Sequence, residues 1–344
     1  MVQTNKMYVE RGVINMPEVP ALASSEIGTL WMTYQQKTMI KHMLEYFIEK
    51  ADDQDAKKIM TDLYEEISPY IEQISRIFQS EGIPVPVGFT EQDVNIDVPK
   101  LYDNGFDIML LRMIKEISMA MHTLNITMSY RDDIIQLFRD LTRITQKCFH
   151  QCTIYLLEKG LIPRSPYVST TKEVEFVEDK GYLGGFNPLS EKRALNTVEL
   201  AIIYHAIESN VIGMQMIYGF AQCVEKKDVS KFFTKGGELA AGIIKEMSEI
   251  LLENNIPVPA TAGGNVTTST LAPFSDKLMM YFVSIFCGFS LGGNSIGTAF
   301  SLRNDLPAKL SIFMKDIFEY AHEGAKIMIK HGWMEEPPQT VEPK

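Results

Sequence analysis

At 344 residues, 45% hydrophobic and 22% charged, the chain has material for two cores of ordinary domain size. A net charge of −11 with no basic stripe or Lys/Arg cluster argues against nucleic-acid binding. Four cysteines are too few for a disulfide framework, and Cys148 and Cys152, one helical turn apart, match no redox or zinc spacing; small buried thiols in a cytoplasmic protein are expected.

The opening residues 1–13 lack an apolar run, so no signal peptide is expected, and residues 1–24 read as an extended lead-in. A first helix is predicted over about 26–50, with Met32, Gln36, Met39, Ile40, Met43, Tyr46 and Phe47 on its core stripe. A second follows over about 55–80, where Pro69 predicts a kink and Gly82 a left-handed stop. The Pro-bearing loop to about residue 101 is longer than most helix connections and suits a crossover to the third helix of a four-helix bundle. The third helix, in the window 106–130, carries the stripe Phe106, Leu110, Met113, Ile114, Ile117, Ala120, Met121, Leu124 and Met128. Arg112, Lys115, Glu116 and His122 lie off that stripe and are expected in solvent. A fourth helix runs to about residue 159, with Asp133 placed to cap it and Gly160 to end it. Residues 163–192 form a link in which 172–177 reads as a short extended piece.

The plan then repeats. Ile83-Pro84-Val85-Pro86 recurs as Ile256-Pro257-Val258-Pro259, 173 positions on, and Leu22 with Glu26 recurs as Leu195 with Glu199 at the same offset. Ser129, Arg131 and Asp133 recur as Ser301, Arg303 and Asp305, 172 positions on. The predicted fold class is therefore all-α, two tandem ferritin-like four-helix bundles, each with a crossover between its second and third helices. The repeats cover 22–166 and 195–338, and 167–194 links them. Second-half helices are predicted over about 197–224, 228–253, 277–302 and 306–331, with Asn196 and Glu199 forming a capping box and the tail from Glu335 frayed.

Between Lys277 and Arg303 no residue is charged, a length that would suffice for a membrane span. Its amphipathic twin at 106–130 argues instead for a bundle helix buried on both sides, so no membrane span is expected. Twenty methionines read as packing between helices.

The segment Arg193 to Glu199, the Ser-x-Arg-x-Asp turn and the closing run His331-Gly332-Trp333-Met334-Glu335-Glu336-Pro337-Pro338 resemble a duplicated ferritin-like family of unknown function. That family comes from spore-forming bacteria and is related to spore coat F proteins. The resemblance implies the fold and an association with the spore, and no established activity.

Di-iron chemistry in such bundles needs inward Glu residues and a Glu-x-x-His on each of two helices. Glu319 with His322 is one such pair, but its twin is Lys147 with His150. No catalytic residue or cofactor is therefore expected; His150, His322 and Glu319 are the metal candidates, for iron or manganese. Glu26, Ser129, Arg131, Asp133, Glu199, Ser301, Arg303, Asp305, Gly332 and Trp333 are read as structural, the arginines closing each corner between third and fourth helices with Glu26 and Glu199. The fourth helices carry a second, partly apolar face, which predicts contact between them or with a partner and could bring the two histidines together. The leading functional expectation is a non-catalytic structural or interaction protein acting through apolar outer helix faces, by self-association or with a protein partner. Metal binding and a small apolar ligand in the Met-rich interior are the alternatives.

Overall fold

The computed structural model describes residues 19–186, 192–259 and 263–340. Four long helices form the first half: α1 (Ser24–Lys50), α2 (Gln54–Ser80), α3 (Phe106–Thr127) and α4 (Asp132–Glu158). The second half repeats them as α5 (Thr197–Cys223), α6 (Lys227–Glu253), α7 (Asp276–Phe300) and α8 (Asp305–Lys330). These are two tandem helical bundles, as the repeat predicts. Residues 1–18 of the expected lead-in lie outside the described residues.

Bonds at one end of the first bundle fix its direction of travel. Glu26 at the start of α1 meets Tyr130 and Arg131 between α3 and α4, and Arg131 meets Glu81 at the end of α2. So α2 and α3 both run toward that end, and residues 81–105 must cross the bundle's length between them. Pro69 lies inside α2, which continues through it.

Helix ends obey local chemistry. Gly82, Gly160 and Gly332 all take left-handed φ (68°, 67° and 70°), and the next residue's amide returns to a carbonyl one turn back. At position 255, twin of Gly82, Asn255 takes φ 56° instead. Trp333 follows Gly332 and stacks on His331, which pairs with Asp228. Since a Cβ at Gly332 meets nothing within 4 Å, Gly332→Ala isolates the backbone penalty. We expect about 1 kcal/mol of lost stability by chemical denaturation. The Asn196–Glu199 capping box forms as predicted, with Glu199 N–H donating to Asn196 Oδ1 at 2.9 Å. Asp133 and Asp305, by contrast, do not occupy the cap position: they are the second residue of α4 and the first of α8, and their carboxylates turn to Arg131 and Arg303.

The halves are interlocked. In the crossover loops, β1 (Tyr102–Asp103) pairs antiparallel with β2 (Asn265–Val266), a ribbon the all-helical expectation did not contain. Residues 172–177 form no strand. Tyr102 donates its hydroxyl to Met216 O at 2.5 Å, and a continuous apolar core draws on both halves. On one side α3 packs against α5 through Arg112–Glu208 (3.0 Å) and Glu116–His205 (2.5 Å). On the other, Tyr281 of α7 donates to Gln35 of α1 at 3.4 Å. The start of the tail is tied down, not frayed, because Val87 and Gly88 amides both donate to the Glu335 carboxylate at 2.7 Å.

Burial departs from the sequence stripes in three places. Met32 is 45% exposed on α1 and Leu124 is 53% exposed on α3, with Ala120 exposed beside it. Lys115 and His122, expected in solvent, are fully buried. The cause is that α3 touches α1, α4 and α5, so its buried arc is wider than one stripe. Finally, α7 is buried on both sides only near its start. From Ser284 on, one face is open within this chain.

Candidate functional site

The repeated signature residues build two equivalent corners. Glu26 Oε1 accepts from the amides of Tyr130 and Arg131, both at 2.8 Å, and Glu199 Oε1 accepts from Leu302 and Arg303 at 3.1 and 2.9 Å. The glutamates thus hold the corner backbone and do not pair with the arginine side chains there. Each guanidinium grips the aspartate two residues on and the carbonyl ahead of its repeat, Pro20 O or Arg193 O. Ser129 Oγ donates to Asn125 O at 2.8 Å, and Ser301 N–H to Gly297 O at 3.0 Å. Where the first corner has Glu81 the second has Asn254, and there Arg193 instead makes a two-pronged pair with Glu199 at 2.7 Å. Burial alone would raise the Glu199 carboxyl, but Arg193 and the backbone donors outweigh it and hold it at about 2. The carboxylates and guanidiniums of both corners are thus paired within their own repeat.

The metal candidates lie apart from any such chemistry. His150, Glu319 and His322 are exposed; Glu319 pairs with Lys315 at 3.3 Å and His322 stacks on Phe318. Among the described residues no three His, Cys, Asp or Glu side chains gather as metal ligands. The bundles meet through α3 and α5 and the crossover loops, not through α4 and α8 as the histidine hypothesis supposed.

A different cluster occupies the core of the first bundle. Lys37 on α1 is 1% exposed, and Lys115 and His122 on α3 are 0% exposed. Two of their polar atoms, Lys115 Nζ and His122 Nε2, have no hydrogen-bond partner among the described residues. His122 Nδ1 meets Thr145 Oγ1 of α4 at 3.3 Å. Burial pushes all three groups down; Lys115 further depresses Lys37, and both lysines depress His122. The thiols of Cys148 and Cys152, 3.9 Å apart on α4, face Lys115 and pull its titration slightly back up. Charged side chains are almost never enclosed without a carboxylate, so three basic groups together demand a reason.

The duplication excludes a reason in the fold itself. Lys37, Lys115 and His122 correspond to Asn210, Cys287 and Asn294 in the second bundle. There Asn210 and Asn294 donate to carbonyls one turn back on their own helices, both at 2.8 Å, leaving no charge to bury. The same architecture therefore stands without the basic trio. Sequence reasoning missed it, although Leu111, Lys115, Ser118, His122 and Asn125 form a second stripe at three- and four-residue spacing.

The open side of α7 is the other unusual surface. Ser284, Gly288, Gly292, Ser295, Ile296, Ala299 and Phe300 are exposed along it, and no residue of the helix beyond Lys277 is charged. Ile296 and Phe300 are 60% and 63% exposed. By length and composition α5 and α7 would each suffice to cross a membrane.

Two matches to one family divide the chain as the helices do, residues 14–174 and 184–344. The chain belongs to this family, a protein of unknown function (DUF3231). No curated protein matches it. Among solved structures, one from Bacillus halodurans, called a "putative spore coat protein", is 17% identical over 44% of this chain and 98% of its own, with a TM-score of 0.42.

Proposed function

We propose that this protein is non-catalytic and works by contact, with the uncharged face of α7 docking onto a second copy of the chain. One observation carries the reading. Arg112 and Glu116 on α3 join the two bundles through Glu208 and His205; their counterparts on α7, Ser284 and Gly288, lie exposed on a helix with no charged residue beyond Lys277. A face that fastens bundle to bundle in one repeat, and is bare and uncharged in the other, suits a further bundle. Two such faces meet without charge repulsion. Gly288 and Gly292 have open space where a Cβ would stand, which permits close helix approach. Burying Ile296 and Phe300 contributes about 1.5–3 kcal/mol per side chain.

Sedimentation equilibrium of the full chain is expected to show a dimer, and the double variant Ile296→Lys, Phe300→Lys a folded monomer. A monomeric wild type at micromolar concentration overturns the reading. Partition of the chain into detergent overturns it in favour of a membrane role for α7. Residence in the cytoplasm of a spore-forming cell, or on its spore, rests on the motif resemblance and is proposed with it.

A further inference from the structure

We propose that the core of the first bundle is a binding site for an amphiphilic carboxylate, its head among Lys37, Lys115 and His122 and its short apolar tail running along the seam between α1 and α3. This site is independent of the α7 face. Three observations converge on it. The trio supplies three basic groups from two helices, with Lys115 Nζ and His122 Nε2 unpartnered, so an oxyanion would find donors already converging. Among the described residues no acidic side chain acts on them: Lys37 feels Lys115, Lys115 feels the Cys148 and Cys152 thiols, and His122 feels both lysines and the Leu141 backbone. The twin bundle, with Asn210, Cys287 and Asn294 in their places, has no such demand.

The tail follows from what adjoins the head. One turn from Lys37 and Lys115, an apolar void of about 10 Å³ is lined by Ile40, Met43, Leu44, Met60, Leu111 and Ile114. It shares Phe47 and Asp107 with a surface cavity of about 180 Å³, whose wall includes Tyr46, Tyr102 and Phe106. Lys115 and Asp107 are two turns apart on α3, about 12 Å along the axis, long enough to take an extended alkyl chain of about eight carbons. Met43 and Met60 are among the residues lining the void, and methionine is the side chain most able to yield to such a chain. The surface mouth carries Asp52, Asp53 and Asp103 beside Lys50 and Lys100, so the attraction for an anion lies inside, not at the entrance. An oxyanion favours the charged form of all three groups, so any change in their protonation on binding is an uptake.

Native mass spectrometry and calorimetry on the intact chain test this with sodium octanoate. Octanoate is expected to bind one per chain, with net proton uptake revealed by the dependence of heat on buffer. Lys115→Met and Lys37→Met should each weaken it at least tenfold, while an unchanged helical circular dichroism spectrum shows that both still fold. Octanol and acetate, matching tail and head alone, should bind at least tenfold more weakly than octanoate. The proposal falls if octanoate does not bind the wild type, if both variants bind it unchanged, or if octanol or acetate binds equally well.

Discussion

Replacing Lys115 by methionine is expected to make the protein more stable, by about 1–3 kcal/mol at pH 7. Mutations of buried residues normally destabilise, so the sign alone is a strong test. Lys115 is fully enclosed and its Nζ has no hydrogen-bond partner among the described residues; methionine has similar length and reach and leaves nothing unsatisfied. The pH dependence follows from the depressed titration of Lys115. Below the ordinary lysine value of about 10.4 the unfolded chain binds a proton that the folded chain resists. Wild-type stability therefore declines as pH falls, until the folded group also charges. His122 adds a further decline as pH falls below about 6.5, because its folded value is also depressed. Lys37 faces the same pair and acts in the same direction. On α4, Cys148 and Cys152 face Lys115, and Glu66 of α2 acts on Cys148, so these charges share the titration. The gap between Lys115→Met and wild type should close as pH rises past about 10. Urea denaturation at pH 7 and pH 10 checks both points, and a variant less stable than wild type at pH 7 would show that the lysine is satisfied by something internal.

Much of the fold was legible because bundle helices write themselves in period and caps. The helix limits fall within about three residues of the spacing-based ones, and Asn196 with Glu199, Gly82 and Gly332 act as their residue types require. What was not legible depends on neighbours distant in sequence. Nothing in the window 106–130 reveals that α3 is enclosed by α1, α4 and α5, so Lys115 and His122, off its apolar stripe, read as facing water. The same blindness in reverse affected α7: an uncharged helix announces that it needs covering, without saying whether its own chain supplies the cover. Asp133 and Asp305 have the composition of caps, but a guanidinium two residues earlier competes successfully for their carboxylates. The Tyr102–Asp103 ribbon is two residues long on each side, too short for any alternation to show.

Glu199→Gln is expected to cost about 2–4 kcal/mol, and Glu26→Gln clearly less, although the two positions are equivalent by duplication. Both carboxylates hold the backbone of the following corner, but only Glu199 also receives two bonds from a guanidinium, that of Arg193. Glutamine keeps one acceptor for the Arg303 amide and turns a donor toward Arg193, so that partly buried guanidinium loses one of its two bonds to position 199. The wild-type carboxyl is held at about 2, against an ordinary value near 4.5, so its folded form is favoured only while charged. The sign is that of a depressed acid: the contribution is complete above about pH 4.5 and is lost as pH falls toward about 2, up to about 3 kcal/mol in all. Glu26 is also lowered, without a guanidinium fork of its own, and contributes in the same window with smaller amplitude. In acid titrations followed by circular dichroism, the deficit of Glu199→Gln relative to wild type should shrink between pH 5 and pH 3. If Glu26→Gln proved equally costly, the difference would not lie in Arg193, and the backbone contacts shared by both corners would account for the whole effect.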